Sequence, residues 1–163
     1  MLEVLHTAFD PGGRPFDGYP VEGADYAESW MHPEGSLSAR VAGSSGEVLG
    51  HAAICDLEDG DAAAAMLMKR LDIPATEIAV LARLFVGPTA RRSGTGQRLA
   101  EAALAYAVEH RRRAVFDVME KDSAAIRMYE RLGCVMLGRT SHQVAGGRVV
   151  PALCFAAPGV LDS

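Results

Sequence analysis

The chain has 163 residues, of which 49% are hydrophobic and 23% charged, proportions typical of a globular protein with one domain over residues 1–163. Its formal net charge of −5 argues against nucleic acid as a partner, because nucleic-acid binding usually needs a basic surface. No apolar run approaches the ~20 residues that cross a bilayer, and no secretory leader is evident, so we expect a cytoplasmic protein without a membrane partner. The three cysteines are widely spaced and predict neither a disulfide framework nor a metal site.

The first part of the chain predicts helices, a loop and two strands. Residues 2–9 and 24–31 have the apolar spacing of short helices, and residues 10–20 between them are rich in Gly, Pro and Asp, as in a loop. Residues 36–42 and 48–55 predict two strands joined by a turn.

An acidic turn follows over residues 56–61, and propensity predicts a helix over Ala62–Leu71. A strand, Ile78–Val86, and a helix over residues 94–110 come next. Three arginines, residues 111–113, follow that helix, where positive charge suits the helix dipole, and we expect them to be structural.

The last part of the chain predicts two strand regions around one helix. Residues 114–119 form a short strand, apolar apart from Asp117, and residues 123–132 form a helix. Asp122 is the predicted N-cap of that helix and Gly133 ends it. The final two strands are residues 134–144 and 148–155, which we expect to pair as a hairpin. This order predicts a mixed α/β fold with antiparallel strands early and late.

The turn between the strand Ile78–Val86 and the following helix carries the most informative motif. Unpaired backbone amides at the start of a helix, together with the helix dipole, favour an anion. Glycines allow close approach of the backbone, and arginines add charge-assisted hydrogen bonds. The motif consists of Arg91, Arg92, Ser93, Gly94, Thr95, Gly96 and Gln97. It predicts a phosphate site, and the alternative is an ordinary strand–turn–helix joint with solvated arginines.

Two familiar phosphate motifs do not fit this turn. The string that begins at Gly94 resembles Gly-x-Gly-x-x-Gly, but its last position is Leu99 and no acidic residue occupies the ribose position. The sequence Gly-x4-Gly-Lys-Ser/Thr of a P-loop does not occur. A dinucleotide site and a nucleoside-triphosphate site are therefore disfavoured.

The pattern Arg91-x-x-Gly94-x-Gly96, preceded by Val86-x-Pro88, resembles motif A of the GNAT superfamily of acyl-CoA-dependent N-acetyltransferases. A second block, residues 122–133, is similar to motif B of that family, in which Ala, Tyr, Glu and Gly recur at fixed spacing. The two blocks occur in the family's order with a strand between them. Together they cover residues 77–137, roughly the middle and C-terminal half of the chain.

The resemblance implies a central mixed, mostly antiparallel sheet flanked by helices and splayed between its fourth strand, Ile78–Val86, and its fifth, residues 114–119. The pantetheine arm of acetyl-CoA, the implied cofactor, would lie in the splay against backbone groups of Leu84, Phe85 and Val86. An amide near Leu84 would polarise the thioester carbonyl. The residues implied to hold the pyrophosphate are Arg91, Arg92, Ser93, Gly94, Thr95, Gly96 and Gln97. Those implied to line the adenine or pantetheine side are Asp122 and Ala125.

Tyr129 is the implied proton donor to the departing CoA thiolate. A phenol ordinarily has a pKa near ~10, above that of a thiol at ~8.5, so it stays protonated while the thiol leaves. The alternative is a core tyrosine, because Ile126, Met128 and Leu132 give this helix an apolar face. Within the motif we favour the functional role.

The chain departs from the family pattern at two places. The first strand is not evident in the N-terminal sequence, and Val80 stands where the family often carries a glutamate base. Other candidates for the base are His32, His51, Glu28, Asp56 and Glu77. For each of these a surface role is the simpler interpretation, so the base stays open, and a chain of waters is an alternative.

These observations predict an N-acetyltransferase in which an amine attacks the thioester directly in a ternary complex, with no metal. The acceptor is a small-molecule or peptide amine of unknown identity, and a homodimer is open. One alternative is a non-catalytic acyl-CoA-binding sensor, since Val80 replaces the expected base. A second alternative is a nucleotide-binding module of another class, which the failed motif matches disfavour.

Overall fold

The computed structural model describes residues 36–44, 47–86, 94–143 and 147–162, and the elements predicted there form within one or two residues of their expected ends. The strands are β1 (Ser36–Ser44), β2 (Glu47–Cys55), β3 (Ile78–Val86), β4 (Arg113–Met119), β5 (Val135–Gln143) and β6 (Val149–Ala156). The helices are α1 (Ala62–Leu71), α2 (Thr95–Glu109) and α3 (Ser123–Arg131), with a short 3-10 turn at Ala75–Glu77.

The six strands form one sheet in the order β1-β2-β3-β4-β6-β5. Four of the five neighbouring pairs are antiparallel, and the pair β3–β4 is parallel. The hairpin β5–β6 folds back so that β6, not β5, lies beside β4. The predicted mixed, mostly antiparallel sheet is therefore confirmed.

The parallel pair β3–β4 is joined over a short distance only. Its partners are Ile78 with Arg113, Ala79 with Ala114, and Val80 with Val115. Beyond Val80 and Val115 both strands continue, β3 to Val86 and β4 to Met119, without pairing to each other. The sheet thus opens into a gap toward the C-terminal ends of these two strands. This is the splay that the family resemblance implies, between the strands numbered fourth and fifth in the sequence analysis.

The β4-β6-β5 half of the sheet carries a helix on each face. Side chains alternate between faces along a strand, and the ring of Tyr129 in α3 lies 4.3 Å from that of Phe116 in β4, centroid to centroid. A Cβ added to Gly138 in β5 would lie 3.1 Å from the Met66 sulfur of α1. Through the register Asp117–Cys154–Gly138, Gly138 shares a face with Asp117. We call the face of Phe116 the α3 face and the face of Asp117 the α1 face.

The arginines after α2 close the end of the helix and hold backbone carbonyls elsewhere. The amides of Arg111 and Arg112 donate to the carbonyls of Val108 and Ala107 at 3.0 and 2.8 Å. The Arg112 side chain donates to the carbonyl of Ile78 at 3.1 Å and pairs with Asp56 at 3.2 Å. The Arg113 side chain donates to the carbonyl of Val160 at 2.6 Å. These contacts agree with the predicted structural role.

The predictions for residues 1–35 lie outside the described residues. These are the helices 2–9 and 24–31, the loop 10–20 and the missing first strand of the family fold. No helix in the described ranges is long and apolar enough to cross a membrane.

Candidate active site

The gap between β3 and β4 is bordered by the residues predicted to bind pantetheine. Leu84, Phe85 and Val86 form the end of β3. On one edge this segment pairs with β2, through Phe85 with His51 and Val86 with Gly50. On the other edge, no strand in the described part of the chain pairs with β3 beyond Val80. The backbone of β3 therefore has an open edge toward the gap, which is the requirement for pairing with an extended ligand.

Tyr129 lies beside the point where β3 and β4 separate. Its ring packs against Phe116, the first residue of β4 after the last paired residue, Val115. Phe155 of β6 completes the cluster, with its centroid 6.3 Å from that of Tyr129. Tyr129 is 5% exposed. The ring of Tyr129 therefore belongs to the core, and the core at this position borders the gap. A packing role and a role beside the gap are compatible for this residue.

The surroundings of Tyr129 keep its phenol protonated. Burial raises the pKa of the phenol above its ordinary value, and Cys134 and the charge of Asp122 raise the pKa further. In the described ranges no hydrogen bond uses the phenol oxygen. A buried, protonated hydroxyl is a competent donor to a thiolate that forms next to it.

The predicted phosphate turn is described from Gly94 onward, and Arg91, Arg92 and Ser93 lie outside the described residues. Gly94 is at the N-cap of α2 with φ of +80°, a conformation that favours glycine. No side chain caps the helix there. The anion site predicted at this helix start remains a prediction.

The other residues of the turn make contacts within α2. Thr95 is buried and its hydroxyl accepts a hydrogen bond from Arg98 at 3.4 Å. Gln97 donates to Glu101 at 3.1 Å. Gly96 lies between Thr95 and Gln97 in the first turn. Both contacts are between side chains within the first two turns of the helix.

Asp122 and Ala125, which the resemblance places beside the cofactor, lie at the start of α3. Asp122 is at the N-cap position, but the structure gives it no side-chain capping bond, so the predicted cap is wrong in that respect. Its ψ of 62° departs from the extended backbone usual at an N-cap, where the side chain reaches the helix amides. Ala125 is half-buried against the core.

None of the described candidates for the general base borders the gap with a free carboxylate. Val80 closes the paired part of β3, Glu77 is exposed in the 3-10 turn, and Asp56 pairs with Arg112. His32, Glu28 and the side chain of His51 lie outside the described residues.

Two residues that the sequence analysis did not propose come together next to the gap. Asp117 of β4 lies two residues past the last β3–β4 pair, and its Oδ2 is 2.7 Å from Nε2 of His142 in β5. A lone carboxylate in an otherwise apolar strand was the available signal for Asp117. His142 gave no comparable signal, because its distance from Asp117 depends on the strand order.

The three cysteines are free and buried. Burial raises the pKa of the Cys134 thiol and of the Cys154 thiol to about 11. Thiols with raised pKa values carry little thiolate at neutral pH, which argues against a nucleophilic role. In the described ranges no group of three His, Cys, Asp or Glu side chains could hold a metal ion.

Known proteins resemble this chain by family and by fold. The model of the acetyltransferase (GNAT) family matches residues 3–134. No curated protein matches the sequence. YncA from Salmonella typhimurium, an acetyltransferase solved with its cofactor acetyl-CoA, is 18% identical with a TM-score of 0.67, over 99% of this chain and 87% of that one.

Two further structures extend the comparison. Ribosomal-protein-alanine N-acetyltransferase from Brucella melitensis is 17% identical with a TM-score of 0.69, covering 96% of this chain and 91% of that one. NAA60 from Arabidopsis thaliana, in complex with a bisubstrate analogue, is 16% identical with a TM-score of 0.62, covering 86% and 87% respectively. At these identities the structures show a common fold. The family match, which spans more than half of the sequence, shows that the chain belongs to the acetyltransferase (GNAT) family, as the two motifs indicate.

Proposed function

We propose that this protein transfers an acetyl group from acetyl-CoA to an amine, which attacks the thioester directly in a ternary complex. One observation carries the proposal: β3 and β4 pair over three residues and then separate, which leaves the β3 edge open beyond Val80. Membership of the acetyltransferase family supplies the reaction class and acetyl-CoA as the donor. Cytoplasmic location and a single domain over residues 1–163 belong to the same proposal.

The pantetheine arm would lie in the gap as an additional, strand-like partner of β3. Its amides would pair with the backbone of Leu84, Phe85 and Val86; Phe85 and Val86 are paired with β2 on their other edge. An amide near Leu84 would donate to the thioester oxygen as negative charge develops there. Leu84 lies at an irregularity of the β2–β3 register, and the pairs on either side of it, Ala82 with Ala53 and Phe85 with His51, hold this segment in place before the substrate arrives.

Tyr129 would protonate the sulfur as it leaves. The amine nitrogen forms a bond to the carbonyl carbon, the carbon–sulfur bond breaks, and its electron pair goes to sulfur. The phenol is protonated at neutral pH because burial raises its pKa, and it adjoins Phe116 at the start of the gap. Its proton therefore reaches the thiolate without a prior ionisation step.

The start of α2 would hold the pyrophosphate of CoA. Amides from residues 92–97 would donate to it, and the side chains of Arg91 and Arg92 would add charge. The uncapped first turn and the left-handed Gly94 support this placement. Asp122 and Ala125 would line the adenine or pantetheine side from α3.

The acceptor is an amine on a small molecule or a peptide. The Brucella melitensis neighbour is named an N-acetyltransferase of a ribosomal-protein alanine, and such an N-terminus is one candidate for this chain. The proposal leaves open whether the protein forms a homodimer.

Two measurements test the proposed function together. Thiol release from acetyl-CoA should be detected with at least one amine of a panel that contains an alanine-starting peptide, lysine, spermidine and an aminoglycoside. CoA, but not NAD or ATP, should raise the melting temperature. Binding of CoA without turnover would favour the acyl-CoA sensor, and a response to NAD or ATP would favour the nucleotide-binding module.

A pair of matched variants tests the pyrophosphate site. Gly94→Ala and Gly147→Ala introduce the same strain, since the two glycines have φ of +80° and +75° and no described atom near the added Cβ. We expect Gly94→Ala to weaken CoA binding and Gly147→Ala, in the distant β5–β6 turn, to leave it unchanged. Equal effects of the two variants would contradict the placement of the pyrophosphate at α2.

A further inference from the structure

A carboxylate and an imidazole form a hydrogen-bonded pair on the α1 face, opposite Tyr129. Nε2 of His142 lies 2.7 Å from Oδ2 of Asp117. The side chains remain accessible, with 40% of His142 and 33% of Asp117 exposed. In the described part of the chain no hydrogen bond uses the second ring nitrogen of His142, Nδ1. We call these two residues the Asp117–His142 pair.

The strand register places this pair at the end of the sheet where the gap opens. Asp117 is two residues, about 7 Å, beyond the last β3–β4 partner, Val115. Through β6, Asp117 is level with Gly138 of β5, and β5 runs parallel to β4. His142 lies four residues further along β5, so it is displaced toward the C-terminal end of β4, which is the direction in which β3 and β4 diverge.

Small side chains allow the two groups to meet across β6. On the α1 face, β6 presents Ala152 and Cys154, both buried, between β4 and β5. An arginine or a large apolar residue at either position would separate the carboxylate from the imidazole. The contact between Asp117 and His142 therefore depends on the small side chains of β6, although β6 contributes no charged group to it.

Asp61 makes this region more negative. It is the N-cap of α1 and accepts from the Ala64 amide at 2.9 Å. Burial raises the pKa of Asp61, the Ala64 amide lowers it, Asp117 and Glu58 raise it, and His142 lowers it. Among the described residues, the titratable groups around His142 on this face are Asp117 from β4, Asp61 at the start of α1 and Cys154 from β6, with Glu58 beside Asp61.

We propose that the Asp117–His142 pair accepts the proton that the amine loses, and that the amine reaches the thioester from the α1 face. This inference rests on the proposed acetyl transfer. Asp117 holds the Nε2–H of His142, which leaves the lone pair of Nδ1 to take the proton. As the carbon–nitrogen bond forms, the amine proton moves to Nδ1 through a chain of waters. The electron pair of the carbon–sulfur bond goes to sulfur, and Tyr129 protonates it from the α3 face. Solvent returns the proton from His142 to Tyr129.

This arrangement separates the two proton transfers by the thickness of the sheet. The proton donor, Tyr129, is buried among aromatic rings, where its neutral form is favoured. The proton acceptor is a half-exposed pair that lies near the Asp61 carboxylate. A carboxylate next to an imidazole stabilises the imidazolium that forms when the base takes a proton.

His142→Gln tests the proposal, with the amine of the panel that gives the highest thiol release. We expect kcat/KM for the amine to fall about 10²-fold or more near neutral pH. The acid limb of its pH profile should be lost, because imidazole is the side chain that ordinarily changes charge between pH 5 and 8. The Kd for CoA should not change. Asp117→Asn should cause a loss of the same kind, and the double variant should lose little more than the larger single loss.

Arg139→Gln is the matched control. Arg139 is on the same strand, β5, but on the opposite face, where it forms an ion pair with Glu120, and its loss should leave the rate and the pH profile unchanged. If the wild-type protein acetylates the amine and His142→Gln keeps both the rate and the acid limb, the inference is wrong and the proposed function stands. If the wild-type protein binds CoA and acetylates no amine, the proposed function itself is wrong. Circular dichroism and the CoA Kd confirm that each variant is folded.

Discussion

At the scale of single residues, Tyr129 is a core position to which we assign a role in the proposed reaction. Its ring contributes to a buried aromatic cluster with Phe116 and Phe155. The same burial raises the pKa of its phenol, which is therefore protonated at neutral pH. Packing in the core is thus compatible with the proposed role as proton donor.

Tyr129→Phe should separate these two roles. The ring contacts remain and no described hydrogen bond is lost, so the fold and the CoA Kd should stay near wild type. Loss of the proton donor should lower kcat about 10²-fold. Initial rates at saturating acetyl-CoA measure the effect, with Tyr106→Phe in α2 as the control. A kcat equal to that of wild type would show that Tyr129 is a core residue alone.

At the scale of elements, Asp61 caps the start of α1, although burial in the fold disfavours the charged form of its carboxyl. Asp61 accepts from the Ala64 amide, as an N-cap should. Burial nevertheless raises the pKa of its carboxyl, and Asp117 adds to the effect. The folded state therefore binds the Asp61 proton more tightly than the unfolded state does. The contribution of this group to the free energy of unfolding falls as the pH rises from its unfolded pKa of 3.8 through the raised value.

Asp61→Asn and Asp61→Ala should reveal the two effects. Asparagine keeps the cap without the charge, so its free energy of unfolding relative to wild type should increase from pH 4 to pH 7. Alanine removes the cap and should cost roughly 0.5–2 kcal/mol relative to asparagine. Urea unfolding at both pH values measures the difference. A more stable wild type than Asn variant at pH 7, with no change from pH 4, would contradict the role of burial.

At the scale of the whole molecule, β3 and β4 are paired at their N-terminal ends and separated by a gap toward their C-terminal ends. Arg112 ties the carbonyl of Ile78, at the start of β3, and pairs with Asp56. Three residue pairs then connect β3 to β4 before the strands separate. The gap is therefore anchored at one end and open at the other, and a ligand in it would restore the missing pairing.

Binding of CoA should accordingly protect the borders of the gap from hydrogen exchange. We expect slower exchange for the amides of residues 81–86 that face the gap, and for residues 116–119 near it. The β5–β6 hairpin should exchange at an unchanged rate. At a ligand concentration of 100 times the Kd, the free energy of unfolding should rise by about 2.7 kcal/mol. Protection confined to α2, with none in β3, would contradict the placement of pantetheine in the gap.

The amino-acid sequence by itself determined the elements and the motifs. Apolar periodicity predicts Ile78–Val86 with the ends that the structure has, because strand and helix patterns are local. The left-handed Gly94 and the helix start that follows it are also local, since they depend on neighbouring residues alone. Both motifs of the acetyltransferase family could be recognised for the same reason.

Only the tertiary structure decided where the sheet opens and which side chains meet beside the opening. Nothing local marks Val80 as the last paired residue of β3, since pairing ends where the twist and the helices separate the strands. Asp117 and His142 are 25 residues apart, and they meet because β6 inserts between β4 and β5 and carries small side chains at the crossing. The predicted bases were sought near the thioester strand, β3, whereas the proposed proton acceptor is assembled from strands on the other side of the gap. Contacts between distant residues depend on strand order, which a single sequence does not encode locally.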